Sequence, residues 1–207
     1  MSKPLLAAVA AAALALLQAA PVLAQLPPGV FAGERDYRLA PAGAYALDPA
    51  HTAVVAKVPH IGYSLSVFRF DKVEGTLTWD GAQPGKTAMN VSVDTASIAT
   101  PVPGFAAQLA GDGYLKSAAF PKATFVSTAF HQNDATHGRI DGQFTLMGKT
   151  VPLTFAVELV GAGKGFMGHP RIGAEATAQI NPADFGITPM LSGPIQLVID
   201  AEFARTS

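Results

Sequence analysis

Residues 139–160 read RIDGQFTLMGKTVPLTFAVELV, and this stretch decides the fold class. In residues 139–146 the apolar or small side chains stand at even positions, and in residues 151–159 the apolar side chains stand at odd positions. An alternation with a period of two is typical of β-strands that bury one face. The residues from Met147 to Thr150 separate the two runs and include a glycine, so the sequence predicts an antiparallel hairpin.

Strand patterns continue on both sides of this hairpin. Six further runs are predicted as strands: residues 52–58, 68–79, 87–94, 122–130, 171–180 and 194–204. Within the second of these, the apolar face changes sides at Asp71–Lys72, which indicates a β-bulge or a bend. Eight strands with mostly local connections predict an all-β fold, either an up-and-down antiparallel barrel or a sandwich.

Residues 100–121 interrupt the series of strands. Aromatic and leucine side chains recur across this stretch without a period of two, which predicts a short helix near residues 104–110 and a helical turn near Tyr114. A connection of this length in a compact domain is usually a lid, a rim or a binding segment. We therefore predict a lid that contains a short helix.

The amino-terminal 24 residues are predicted to be a secretory signal peptide. Lys3 precedes an apolar run over residues 5–17, and the small residues that end at Ala24 suit cleavage after that position. The run is shorter than the roughly 20 residues of a spanning helix, so no stable membrane insertion is expected. Residues 25–43, rich in Pro, Gly and Ala, are predicted to form an extended leader, and residues 44–207 the β-domain.

Composition and charge argue against several classes of function. The formal net charge is −1 and no Lys/Arg cluster stands out, so nucleic acid is not an expected partner. The five histidines lack the spacing of metal ligands and there is no cysteine, so no metal site is expected. The glycine-rich residues 161–165 lie between two strands and are predicted to be a hairpin loop rather than a phosphate-binding loop. With no nucleophile motif either, we expect no catalytic residues, no cofactor and no enzyme activity.

Five short motifs follow one another along the mature chain. They are YALDPAH at residues 45–51, HIG at 60–62, DTASI at 94–98, FPKATF at 120–125 and NPADFG at 181–186. In their order and spacing they resemble the YceI-like family, the polyisoprenoid-binding proteins of bacterial periplasms, over residues 45–203. The resemblance implies an eight-stranded antiparallel lipocalin-like barrel and a periplasmic location. It also implies a long-chain isoprenoid lipid as ligand, such as a quinone or a polyprenyl phosphate.

The inward face of residues 171–180 is largely alanine, opposite apolar residues of medium size. From the residues alone, a lengthwise slot for a ligand and a barrel filled by its own side chains are equally compatible with this pattern. The resemblance favours the slot. The side chains predicted to bind the ligand are Met89, Val91, Phe144, Leu146, Leu153, Phe155, Val157, Ala174, Ala176, Ala178, Leu197 and Ile199.

A polar head group is expected at the barrel mouth near the predicted lid. Candidates to contact it are His60, Tyr63, Arg69 and Arg171, with an exposed rim residue as the alternative for each. Two alternatives to isoprenoid binding stay open: a binder of other amphiphiles such as fatty acids or their amides, and a non-ligand interaction protein with a filled barrel. Whether two copies pair as a homodimer is also open.

Overall fold

The structure, a computed structural model, describes residues 26–187 and 193–206. The strands in these ranges are β1 Gly43–Leu47, β2 Ala53–His60, β3 Ser64–Phe70, β4 Val73–Trp79, β5 Ala88–Asp94, β6 Ile98–Ala99, β7 Lys122–Gln132, β8 His137–Leu146, β9 Lys149–Gly163, β10 Arg171–Ile180 and β11 Ile195–Arg205. The helix α1 is Phe105–Ala110, and 3-10 turns lie at Tyr37–Leu39, Pro49–His51, Pro84–Lys86, Thr95–Ser97 and Pro182–Phe185. The predicted signal peptide, residues 1–24, lies outside the described residues.

All of these strands belong to one antiparallel sheet, which closes on itself as a barrel. β1 pairs with β11 at residues 203–205 and β2 pairs with β11 at residues 196–200, so β1 and β2 follow one another at a single position in the wall. β3 and β4 share a second position, and β5 and β6 a third. With β7 to β11 this makes eight strand positions, and the pairing of β1 with β11 closes the ring. The predicted eight-stranded barrel is confirmed.

The break predicted at Asp71–Lys72 divides β3 from β4. The backbone N–H of Asp71 donates to the carbonyl of Ser97, and that of Lys72 donates to the hydroxyl of Ser97. Because these two residues leave the strand ladder, β3 turns aside to pair with β2 while β4 pairs with β1. On its other edge β3 pairs only with the two residues of β6, so most of that edge has no strand partner. The polypeptide between β6 and β7 follows directly after β6, beside this edge.

β9 is longer than the alternation predicted. Residues 161–163, predicted to be part of a hairpin loop, continue the strand and pair with residues 171–173 of β10. On the other edge of β9, Glu34 exchanges two backbone hydrogen bonds with Ala162, at 3.0 and 2.9 Å. β10 is the next strand along the chain and Glu34 is distant in sequence, and together these partners outweigh the low strand preference of glycine.

The end of the barrel at which β7 begins is covered by residues 100–121, which we call the lid. Leu109 of α1 is buried, and the ring of Phe105 packs on that of Phe68 at 6.1 Å between centroids. The Thr95 hydroxyl donates to the carbonyl of Phe120 at 2.8 Å and ties down the far end of the segment. The predicted short helix is confirmed, beginning at Phe105.

The opposite end is closed by residues 26–42, which we call the leader. The indole N–H of Trp79 donates to the carbonyl of Ala40 at 3.2 Å, and the Tyr45 hydroxyl donates to the carbonyl of Pro41 at 2.6 Å. The Tyr37 ring meets Trp79 edge-on at 6.1 Å. The leader is therefore packed against the barrel. Within the described ranges, no helix has the length and apolar character needed to cross a membrane.

Candidate functional site: an apolar cavity along the barrel axis

An elongated cavity of about 240 Å³ lies inside the barrel. Side chains from all eight strand positions line it, and almost all of them are aliphatic or aromatic. The hollow interior follows from small side chains on one wall: Ala174 and Ala176 of β10 and Ala201 of β11 border the cavity where larger residues would fill it. Ala176 lies between Val157 and Ile199 in the sheet register, and both of these neighbours also line the cavity.

Ten of the twelve predicted ligand-binding side chains line this cavity. They are Met89, Val91, Phe144, Leu146, Phe155, Val157, Ala174, Ala176, Leu197 and Ile199. The other two, Leu153 and Ala178, do not border the cavity and pack within the hydrophobic core toward the lid end. There the 3-10 turn Pro182–Phe185 inserts the fully buried ring of Phe185, which meets Phe144 edge-on at 5.5 Å and fills the space.

Gly142 shapes the wall of the cavity without lining it. A Cβ atom at this position would lie 2.3 Å from the ring of Phe125 and 2.5 Å from the carbonyl oxygen of Val126. The absence of a side chain therefore lets the Phe125 ring approach the backbone of β8, where it packs edge-on to Phe155 at 5.1 Å. Residue 142 faces inward as predicted, and the Phe125 ring occupies the space that its side chain would fill.

The leader end of the cavity contains residues that the sequence analysis did not assign to the site. Trp79, Phe130 and Tyr37 line it there. The alternation of β4 could have predicted that Trp79 faces the interior. Tyr37 lies in a segment without periodicity, so the local sequence does not predict that it faces the cavity. Polar residues also border the cavity at this end: Thr87 directly before β5, Gln132 of β7, Asp134 and Thr136 of the β7–β8 turn, and His137 at the start of β8.

The four predicted head-group residues are not brought together. His60 and Tyr63 lie exposed at the β2–β3 turn on the lid side, and Arg69 lies on the outer face of β3, where its Nε donates to Asp71 at 2.6 Å. Arg171 lies at the leader end, opposite the lid, so its predicted place at the lid-side mouth is wrong. None of the four lines the cavity.

Arg171 is held outside the barrel by two carboxylates. It directly precedes the inward residue Ile172, so its own side chain points outward, and its guanidinium donates to Asp48 at 2.7 Å and to Glu202 at 2.5 Å. The hydrogen bond from Arg171 lowers the pKa of Asp48 to about 2. The hydrogen bond to Asp48 raises the pKa of His51.

Asp48, His51 and Glu202 are close enough to share a metal ion in principle, a grouping that the sequence spacing did not reveal because Glu202 is distant in the chain. Arg171 already supplies the positive charge between the two carboxylates, as an ion pair on the outer wall. We therefore describe this group as an ion-pair cluster.

Comparisons with known proteins agree on one family. The YceI-like domain matches residues 45–203. A UPF0312 protein of Shewanella sp. (strain W3-18-1) is 35% identical over 150 residues, which are 72% of this chain and 78% of that one. Protein YceI of Escherichia coli O157:H7 is 34% identical over 155 residues, 73% of this chain and 81% of that one.

Solved structures with the same fold are more distant in sequence. BcnA of Burkholderia cenocepacia superposes with a TM-score of 0.68 at 20% identity, over 75% of this chain and 98% of that one. A polyisoprenoid binding domain from Saccharophagus degradans, implicated in plant cell wall breakdown, superposes with a TM-score of 0.57 at 14% identity, over 78% and 98% of the two chains. At these identities the likeness establishes the barrel fold alone.

Proposed function

Because the chain belongs to the YceI-like family, we propose that it binds a long-chain isoprenoid lipid, such as a quinone or a polyprenyl phosphate, inside its barrel. The observation that carries the proposal is the apolar cavity along the axis, about 240 Å³ in volume and lined from every strand position. The distant structural relative from Saccharophagus degradans, a polyisoprenoid binding domain, supports the same class of ligand.

The energetics of such a site are dominated by the hydrophobic effect. A polyprenyl tail that buries roughly 400 Å² gains about 10 kcal/mol at ~25 cal/mol per Å², before the cost of ordering the tail and the protein. This gain has no directional component, so affinity follows the length and cross-section of the tail. A narrow, elongated cavity suits a thin hydrocarbon chain better than a bulky ring system.

The composition of the lining favours a ligand with a neutral head group, or one whose charged head stays outside the cavity. Of the described residues that line the cavity, none is Lys or Arg. A fatty-acid carboxylate or a polyprenyl phosphate head drawn inside would therefore lack a Lys or Arg partner, and burying an unpaired charge is costly, so among isoprenoids a quinone suits the interior better. Neutral amphiphiles such as fatty amides do not meet this penalty and are the second candidate class. The filled-barrel alternative does not fit an interior that contains a cavity.

We propose binding rather than catalysis, and carriage in the periplasm. The histidines that have carboxylate partners are His51 with Asp48, His131 with Asp141 and His137 with Asp134. The first two pairs lie on the outer surface, and the third lies at the leader-end rim of the cavity, exposed to solvent. The predicted signal peptide supports export, and a soluble barrel could then shield a lipid tail from water.

The direct experiment is organic extraction of protein purified from its native periplasm, followed by mass spectrometry. We expect a prenyl-chain lipid in stoichiometric amount. Displacement of a fluorescent prenyl probe then separates the two ligand classes: prenyl alcohols should compete at lower concentration than fatty amides of equal length, and fatty acids should compete least. Recovery of no lipid from native protein, together with no uptake of the prenyl probe, would refute the proposal.

A further inference from the structure

The turn between β2 and β3 carries apolar side chains that the fold leaves in solvent. Ile61 is 70% exposed and Tyr63 is 89% exposed. On the outer face of β3, Leu65 and Val67 follow at 54% and 51% exposure. Four apolar or aromatic side chains within seven residues are more than the scattered single exposures that are usual on a soluble surface.

A fifth exposed side chain comes from the lid. Val102 is 55% exposed and lies between two points at which the lid segment contacts β3. Before it, β6 pairs with residues 69–70 of β3, and after it the Phe105 ring packs on Phe68. Val102 is therefore held beside the same strand. We call Ile61, Tyr63, Leu65, Val67 and Val102 the apolar tip.

The backbone conformation at residue 61 is unfavourable for isoleucine, so folding stability does not explain why isoleucine is present there. Its φ angle is +52°, in the left-handed region that β-branched residues rarely adopt. Asparagine or glycine would suit this turn position better. Ile61 is thus unfavourable both for the backbone and for solvation, a combination that points to a partner for its side chain.

Two basic side chains lie on the hairpin that carries the apolar tip. Residues 53–70, which form the β2–β3 hairpin, contain no Asp or Glu and carry Lys57 and Arg69 on the outward-facing positions. Arg69 pairs with Asp71, which directly follows β3, whereas Lys57 lies nearer the tip. On the nearby strands β10 and β11, Glu175 and Asp200 lie opposite each other at mid-strand and Glu202 lies nearer the leader end. Along this wall of the barrel, the exposed apolar side chains and Lys57 therefore lie closer to the lid end than these acidic side chains do.

We propose that the apolar tip docks on the surface of an anionic lipid bilayer. Aliphatic side chains at a protruding turn can enter the acyl boundary, and a tyrosine suits the interface between acyl chains and head groups. Lys57 then faces anionic head groups, and the acidic side chains of β10 and β11 lie farther from the bilayer. A second copy of the chain fits less well, because a stable protein interface buries roughly 800 Å² per partner and the tip is a narrow, convex turn.

Docking in this orientation places the lid against the bilayer. The lid covers the end of the cavity and contributes Leu115 to its lining. A lipid that moves between membrane and barrel could then pass beneath the lid without crossing bulk water. This role in lipid transfer rests on the proposed function, whereas the membrane-binding surface itself does not depend on it.

The test is co-sedimentation of the protein, purified after export, with vesicles of phosphatidylcholine alone or of phosphatidylcholine mixed with phosphatidylglycerol. We expect binding to the anionic vesicles that weakens as salt is raised. Ile61→Asn should reduce the partition coefficient at least about tenfold, since it removes the most protruding aliphatic group. The same substitution relieves the left-handed backbone at residue 61, so the thermal midpoint should be unchanged or higher and misfolding cannot explain the loss.

Val160→Asn is the matched control, because Val160 is 59% exposed on β9, away from the tip. It should leave vesicle binding unchanged. The proposal is overturned if the protein does not bind vesicles, if Ile61→Asn binds them as well as the wild type, or if Val160→Asn loses binding to the same extent.

A concentration-dependent dimer that Ile61→Asn abolishes, without vesicle binding, would instead assign the tip to a second copy. Mass spectrometry of bound lipid in all three proteins tests the proposed function separately: vesicle binding by protein that never carries lipid would refute the function and leave the docking surface standing.

Discussion

Replacing Ala176 by phenylalanine tests whether the cavity is real space within the folded protein. Ala176 lines the cavity from β10, with Val157 and Ile199 as its neighbours across the sheet. The added ring projects toward the barrel axis, where a ligand tail is proposed to lie. In a hollow barrel the ring fills empty space, and in a filled barrel it collides with its neighbours.

The expected sign and size follow from the cavity volume. If the ring occupies roughly 100 Å³ of the cavity, filling it recovers about 2 kcal/mol at ~24 cal/mol per Å³. The cavity of about 240 Å³ is larger than this, so the ring can be accommodated. Overpacking a filled core would instead cost about 1–3 kcal/mol. Ala176→Phe should therefore leave the lipid-free protein as stable as the wild type or up to about 2 kcal/mol more stable.

Ala178 provides the control on the same strand. It is two residues away and faces the same side, but it belongs to the packed core near the lid and does not line the cavity. Ala178→Phe should lower the free energy of unfolding by about 1–3 kcal/mol. The two variants thus make the same chemical change with opposite expected signs.

Urea unfolding of lipid-free protein, followed by the fluorescence of the single tryptophan, Trp79, gives both free energies. Titration with a fluorescent prenyl probe gives the uptake, which Ala176→Phe should abolish or reduce at least about tenfold. A loss of stability in Ala176→Phe equal to that in Ala178→Phe would mean that no usable cavity exists. Full probe uptake by Ala176→Phe would mean that the ligand binds elsewhere.

Three further predictions concern the barrel wall and its ends. Gly142→Ala should lower the free energy of unfolding by about 1–3 kcal/mol in urea titrations, because the new Cβ atom would overlap the Phe125 ring. Hydrogen bonds from Arg171 and His51 hold the pKa of Asp48 at about 2, below its usual value of about 3.9, so this carboxylate stabilises the fold at neutral pH and its contribution, at most about 3 kcal/mol, is lost as the pH falls from about 5 through 2. Asp48→Asn should therefore destabilise the protein at pH 7 and flatten the acid limb of a stability–pH curve; a parallel curve would contradict this. Tyr45→Phe removes the hydrogen bond to the leader and should cost about 1 kcal/mol, measured by thermal unfolding, while an unchanged midpoint would show that the leader does not depend on it.

Local alternation determined most of the barrel. Side chains on a strand change faces at every residue, so residues 139–160 and 171–180 reveal their inward faces without knowledge of their neighbours. This is why ten of the twelve predicted side chains line the cavity. Leu153 and Ala178 face inward as predicted, but in the folded chain they pack in the core and do not border the cavity.

Features that depend on partners far along the chain could not be read from local pattern. Residues 161–163 are glycine-rich and still form a strand, because Glu34, far away in the chain, bonds one edge of the strand while the neighbouring β10 pairs with the other. Arg171 was placed at the wrong end of the barrel, since only the folded chain brings Asp48 and Glu202 to it.

The sequence by itself determined most of the strands, their buried faces and the presence of a connecting lid, because side-chain alternation and turn composition are local properties of the chain; it did not reveal β1, β6 or the first half of β3. Only the tertiary structure decided that the interior is hollow, that the leader closes one end and that the apolar tip is exposed at the other. Cavity volume and solvent exposure depend on the summed packing of all strands at once, and no single segment encodes that sum.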